Sequence, residues 1–233
     1  MQLSVADLTC RRGGRELFSS LSFALAAGEA LVVTGRNGSG KSSLLRLVAG
    51  LLHAEGGRIS LTGGNAEASI GEQAHYLGHQ DALKPSLTVQ ENLRFWSAYL
   101  GLEEKPLALA LECLGLGELV DLPAAYLSAG QRRRLSLARL ITVQRPLWLL
   151  DEPASPLDAE GHARLAELMQ LHLTRGGLIL AAAHGDIGLP GAKEIKLGAS
   201  IPSPTYPGPA RDTHESAQVG QARRATGEGQ GGG

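Results

Sequence analysis

Eight consecutive residues, Gly35-Arg36-Asn37-Gly38-Ser39-Gly40-Lys41-Ser42, have the spacing GxxxxGK[ST]. The glycines let backbone N–H groups turn inward and come close to anionic oxygens. Lys41 supplies a point charge for β- and γ-phosphates, and Ser42 a hydroxyl for Mg²⁺. A helix that opens here, with Ser43 in its first turn, adds the positive end of its dipole. Residues 35 to 43 are therefore the candidate nucleotide-binding group.

A second group lies 110 residues beyond Lys41 (151 − 41 = 110). Leu147-Trp148-Leu149-Leu150 runs into Asp151-Glu152, and Pro153 stops it. A carboxylate at the end of a buried strand beside a phosphate loop can hold Mg²⁺, which is the expectation for Asp151. The next carboxylate, Glu152, can orient or deprotonate an attacking water. Between the two groups, Leu127-Ser128-Ala129-Gly130-Gln131 starts a helix: Ser128 is a good N-cap, and Ser128 with Gln131 forms a capping box. Such a start presents backbone N–H groups and a hydroxyl to phosphate.

These side chains need elements to hold them. Residues 3–8 and 17–25 read as strands around an Arg-Gly-Gly-Arg turn at 12–15. Residues 30–34 form a short buried strand, and 42–51 carry helical apolar spacing that ends near Gly50. Residues 58–61 and 75–77 are further strands. A helical insertion runs from about 82 to 143, broken at Pro106, 115–117 and Pro123. The strand 147–150, an amphipathic helix over 157–174, and strands at 178–182 and 193–197 complete the pattern. Alternating strands and helices predict an α/β fold around a mainly parallel sheet. Residues 198–233 hold 8 Gly and 4 Pro, and only Ile201 and Val219 as branched aliphatics. That segment has too little apolar surface to offset its ordering entropy, and it reads as a disordered tail.

The order of the three groups, with Leu127–Gln131 some 20 residues before the acidic strand end, resembles the ABC ATPases. The resemblance covers residues 1 to about 197. It implies a P-loop ATPase core of mainly parallel sheet with an antiparallel β subdomain, and a helical subdomain that carries the signature Leu127–Gln131. By the same resemblance, Gln80, ending Tyr76-Leu77-Gly78-His79-Gln80, corresponds to the Q-loop glutamine. That residue meets Mg²⁺ together with Ser42 and Asp151. Ser155-Pro156-Leu157-Asp158 corresponds to the D-loop, and His184 to the switch histidine at the γ-phosphate. The resemblance makes Glu152, His184 and Gln80 the catalytic set and ATP with Mg²⁺ the ligands. It also implies a homodimer in which ATP lies between the phosphate loop of one copy and Ser128 of the other. Two positions depart from the pattern. Cys10-Arg11-Arg12 lacks the usual base-stacking aromatic, where the Arg12 guanidinium is the alternative, and Pro156 stands where smaller residues are usual.

Three stretches are similar to the ATP-binding subunits of cytochrome c maturation haem exporters: 76–80, 83–96 and 146–150. That similarity implies integral membrane partners from cytochrome c maturation and a peripheral place on the cytoplasmic face of a bacterial inner membrane. Another small ABC exporter or importer ATPase, and an ABC ATPase acting away from membranes, stay open. Composition narrows the field. Lys plus Arg number 22 and Asp plus Glu 23, a net charge of −1, which makes no case for nucleic acid. On that balance Arg132-Arg133-Arg134 reads as the solvated start of the signature helix. Two cysteines, Cys10 and Cys113, with no CxxC, fit a reducing compartment and exclude a disulfide scaffold. No apolar run reaches spanning length, and no secretory leader is visible, so membrane spans are expected in partners.

Overall fold

The computed structural model describes residues 1–101 and 107–198. The expected break at Pro106 and the expected tail beyond Gly198 lie outside the described residues. An antiparallel hairpin of β1 (Gln2–Arg12) and β2 (Arg15–Ala26) turns through Gly13 and Gly14, both at positive φ. β4 (Gly56–Thr62) pairs with β1 on its other edge, giving a three-stranded sheet in the order β2-β1-β4. Between Cys10↔Phe18 and Arg11↔Glu16 the register shifts, so Leu17 is the extra residue of a bulge. Bulges re-aim side chains. Leu17 and Phe18 both come close to Gly40.

The second sheet is parallel throughout, in the order β5-β6-β7-β3-β8. Its strands are β3 (Ala30–Gly35), β5 (Ala74–Leu77), β6 (Leu147–Asp151), β7 (Leu178–Ala182) and β8 (Lys193–Leu197). β6 and β7 are buried at every residue, as strands covered on both faces must be. Their side chains divide by the period of two. Leu147, Leu149, Leu178 and Leu180 join the core shared with α1 (Lys41–Val48) and the hairpin. Trp148, Leu150, Ile179 and Ala181 join a second core with the helical segment. Short apolar strands of this kind need two covering layers, and the intervening sequence supplies one on each side.

The helical insertion holds α2 (Val89–Tyr99), α3 (Leu107–Cys113), two 3₁₀ turns at Gly117–Leu119 and Ala124–Tyr126, and α4 (Ala129–Thr142). Both α2 and α4 begin with complete capping boxes, Thr88 with Glu91 and Ser128 with Gln131. The expectation of a helix start at Ser128 is met by local hydrogen bonding that the sequence pattern already specifies. α5 (Ala159–Thr174) starts two residues later than its apolar pattern suggested, because Asp158 caps it by accepting from the Gly161 N–H at 2.8 Å.

Candidate nucleotide-hydrolysis site

β3, β6 and β7 lie side by side, and their C-terminal ends bring three chain segments to one edge of the sheet. β3 runs into the loop 35–40 and then α1. Gly35 has φ +142°, and a Cβ there would lie 2.5 Å from the Leu197 carbonyl oxygen and 2.8 Å from Ser39 Oγ. Gly40 has φ +103°, with Phe18 3.0 Å from where its Cβ would stand. Only glycine fits both positions, which explains the motif's two end glycines physically.

Lys41 is only 7% exposed. Its ammonium donates to the Gly35 carbonyl at 2.9 Å and lies 3.1 Å from His184 Nε2. Next to it, Ser42 Oγ donates to Asp151 Oδ1 at 3.0 Å, joining the start of α1 to the end of β6. Asp151 is 2% exposed, and its second oxygen, Oδ2, is buried with no hydrogen-bond partner. A buried anionic oxygen without a donor is costly unless something positive meets it. The donor set of Asp151 carboxylate and Ser42 hydroxyl suits a hard divalent cation that takes oxygen ligands.

Glu152 follows at φ +51°, a left-handed conformation that is uncommon for a side chain other than glycine, asparagine or aspartate. Its N–H donates to the Ala182 carbonyl at 2.9 Å, which fixes the turn against β7. Its Oε1 lies 3.5 Å from His184 Nε2. The same nitrogen therefore faces the Lys41 ammonium and the Glu152 carboxylate. Unprotonated, it accepts from Lys41; as N–H, it faces Glu152. It cannot do both at once.

The expected residues are thus gathered in part. Lys41, Ser42, Asp151, Glu152 and His184 form one connected cluster. Arg36 and Asn37 are exposed on the loop, Gly38 turns at φ +77°, and Ser39 Oγ is buried without a partner beside Gly35. Ser43 sits in the first turn of α1, half-buried. Gln80 lies exposed after β5, and among the described residues its side chain makes no hydrogen bond. Ser128 Oγ accepts from the Gln131 N–H at 3.2 Å, within its own helix cap. No hydrogen bond joins 127–131 to the loop 35–43 of this chain among the described residues. Gly130 instead abuts the D-loop segment, where a Cβ would lie 3.2 Å from the Pro156 carbonyl oxygen.

One expectation needs correction. Arg133 is not solvated: it is 2% exposed. Its Nε donates to the Pro153 carbonyl at 3.1 Å, and its Nη2 to those of Asp151 and Glu152 at 2.8 and 2.9 Å. Its Nη1 donates to the Gly78 carbonyl at 2.9 Å and to Asp81 Oδ1 at 3.3 Å. These acceptors satisfy a guanidinium that water would otherwise hydrate. A signal was present in the sequence. Arg133 stands four and seven residues before Leu137 and Leu140, on the buried stripe of α4. Asp81, its carboxylate partner, carried no such signal. Arg139, on the same helix, is also buried; burial lowers its pKa to about 10, so it stays charged. It packs over the Trp96 ring at 4.4 Å and donates to the Asp81 carbonyl.

Residues 18–155 match the family described as ABC transporter. The chain is 56% identical over 200 residues to a Rhodopseudomonas palustris protein named cytochrome c biogenesis ATP-binding export protein CcmA, covering 86% of this chain and all of that one. A protein of the same name from Bradyrhizobium diazoefficiens is 57% identical over 198 residues, covering 85% of this chain and 98% of the relative. A solved structure described as the ATP-binding subunit of an ABC transporter superposes with a TM-score of 0.71 at 26% identity, over 79% of this chain and 80% of that one. Another, a putative ABC transporter ATP-binding protein from Pyrococcus furiosus, gives 0.74 at 20% identity, over 84% and 98%, and speaks for the fold alone.

Proposed function

The chain belongs to the ABC transporter family, as an ATP-binding and ATP-hydrolysing subunit, and from that premise we propose how its residues divide the work. The ATP-binding domain is 1–197. The N–H groups of 35–43 and the Lys41 ammonium take the β- and γ-phosphates. Ser42, Asp151 and Gln80 would hold Mg²⁺, which neutralises developing charge on the phosphate oxygens when bound. Glu152 takes the proton of a water attacking the γ-phosphorus, and the leaving group is ADP. His184 steadies that water and the γ-phosphate beside Glu152 and Lys41. Its closeness to both Lys41 and Glu152 supports this role.

Leu127–Gln131 of one copy closes over the ATP held by the other, in a homodimer with two composite sites. The support is chemical: the N–H groups of Ala129 and Gly130, which precede the capped Gln131 N–H, have no partner within the helix and suit a phosphate. Asp158, beside Leu157 and the Pro156 carbonyl that meets Gly130, belongs to the same face. No described helix is long and apolar enough to cross a membrane. Transport runs through separate integral membrane subunits of cytochrome c maturation, with this chain peripheral on the cytoplasmic face of the inner membrane, a reading that the similarity to the cytochrome c biogenesis export proteins supports. The cargo process is haem delivery to c-type cytochromes. The observation that carries the ATPase reading is the cluster of Lys41, Ser42, Asp151, Glu152 and His184 at one sheet edge.

The test is haem staining of denaturing gels from a strain lacking this chain. Covalent haem on c-type cytochromes should disappear, with b-type haem proteins spared. Wild-type protein should restore the bands and Lys41→Ala should not. Normal c-type bands in the deletion strain would discard the haem-delivery reading. Restoration by Lys41→Ala would discard its dependence on ATP.

A further inference from the structure

We propose that Arg133 is a positioning residue that links the Gln80 loop and the Glu152 turn to the signature helix, so that the position of one sets the position of the others. It rests on the reading of Glu152 as the group that takes the water proton.

Arg133 is the buried side chain that touches all three segments. It belongs to α4, whose N-terminus is the signature Ser128. Its Nη1 grips both sides of His79–Gln80, through the Gly78 carbonyl and the Asp81 carboxylate. Its Nη2 and Nε hold the carbonyls of Asp151, Glu152 and Pro153, the residues that surround the Glu152 carboxylate in the chain. Glu152 sits at φ +51°, a conformation that persists only where surrounding contacts over-determine it. Two of those contacts come from Arg133, on the carbonyls before and at the strained residue.

The planar fork matters more than the charge. Three nitrogens pointing in fixed directions meet five oxygens from two loops, which a flexible ammonium with a single nitrogen cannot match. α4 has further holds on the same loop. Arg139 donates to the Asp81 carbonyl, and Ser136 Oγ donates to the Arg133 carbonyl, fixing the helix turn behind the guanidinium. From α2, Trp96 Nε1 donates to the carbonyl of Ala82, which is itself at φ +53°. A displacement of the loop at 78–82, or of the helical segment, therefore reaches the Glu152 backbone through one guanidinium. Coupling of this kind needs a physical element that both ends bias, and this is its shortest form here.

The test uses Arg133→Lys, Arg133→Met and Asp81→Asn in the full chain, reading kcat and KM for ATP, nucleotide binding and thermal unfolding. Misplacing a reacting group by about 1 Å can cost on the order of 10²-fold in rate, so Arg133→Met should lower kcat by roughly 10- to 100-fold with KM within about threefold of wild type. Arg133→Lys should recover only part of that loss. If Arg133→Met does not fold, Asp81→Asn decides, since it loosens the loop arm and leaves the carbonyl arm in place. It should lower kcat several-fold at unchanged KM. Wild-type kcat in folded Arg133→Met or in Asp81→Asn would overturn the proposal, as would full wild-type kcat in Arg133→Lys. Glu152→Gln in the same assay separates two failures. If it abolishes turnover while the Arg133 and Asp81 variants keep it, only the positioning role falls. If it keeps turnover, the reading of Glu152 falls, and this proposal with it.

Discussion

Glu152 and Asp151 are adjacent carboxylates with different surroundings. Asp151 is buried against Ser42 with one oxygen unpartnered, a place for a cation. Glu152 is turned by its positive φ toward His184, a place for a water and its proton. Glu152→Gln keeps the shape and removes the base. It should bind ATP as wild type does and lose turnover by roughly 10²- to 10⁴-fold, the usual range for a general base. Single-turnover hydrolysis measured beside nucleotide binding checks this. Turnover within about threefold of wild type would remove Glu152 from the chemistry.

Among the elements, β5 carries a titration that bears on stability. His75 is 4% exposed, and its Nε2–H donates to the Val143 carbonyl at 2.7 Å, tying β5 to the end of α4. Burial pushes its pKa down to about 4. The folded protein therefore keeps His75 neutral, while the unfolded chain takes up a proton below about pH 6.5. The stabilisation is fully present above that pH and is lost as pH falls toward 4. At pH 5 the loss amounts to about 2 kcal/mol relative to neutral pH. Urea unfolding at pH 7 and pH 5 should show His75→Gln losing less stability between the two, by about that amount. His172, stacked on Trp148 with ring centroids 3.8 Å apart, is also lowered to about 4 by burial and acts in the same direction. The comparison with the variant isolates His75. An equal drop in both proteins would show that burial does not hold the ring neutral.

For the whole molecule, the decisive question is whether one site is built from two chains. If Lys41 of one copy and Ser128 of the other meet the same ATP, Lys41→Ala and Ser128→Arg chains are each inactive alone. Mixed, they form heterodimers with both lesions in one site and none in the other. Equal mixing puts one intact site in half of the dimers, so up to roughly a quarter of wild-type turnover should return. No recovery from demonstrated heterodimers would rule out the shared site.

The local chemistry of this protein could be read from its residues in order. The phosphate loop, the capping box at Ser128 and the acidic strand end are set by neighbours within a few positions, and the glycines of the loop are required by backbone geometry at Gly35 and Gly40. The apolar strands could also be placed, because short, wholly apolar runs must be covered on both faces. Their order could not. β3 sits between β7 and β8, and β5 at the far edge, so residues more than a hundred positions apart meet: Ser42 with Asp151, and Lys41 with His184. Arg133 shows the same limit. Three successive arginines look alike to composition and charge, and a neutral chain makes a solvated run the natural expectation. Folding turned one of them inward, because carbonyls 18 to 20 residues ahead of it, and a carbonyl and a carboxylate from a loop 52 to 55 residues behind, converge where a planar cation fits. A charged side chain can be buried only where enough acceptors meet it, and which segments supply them is settled by the packing of the sheet against the helices, not by any stretch of sequence alone.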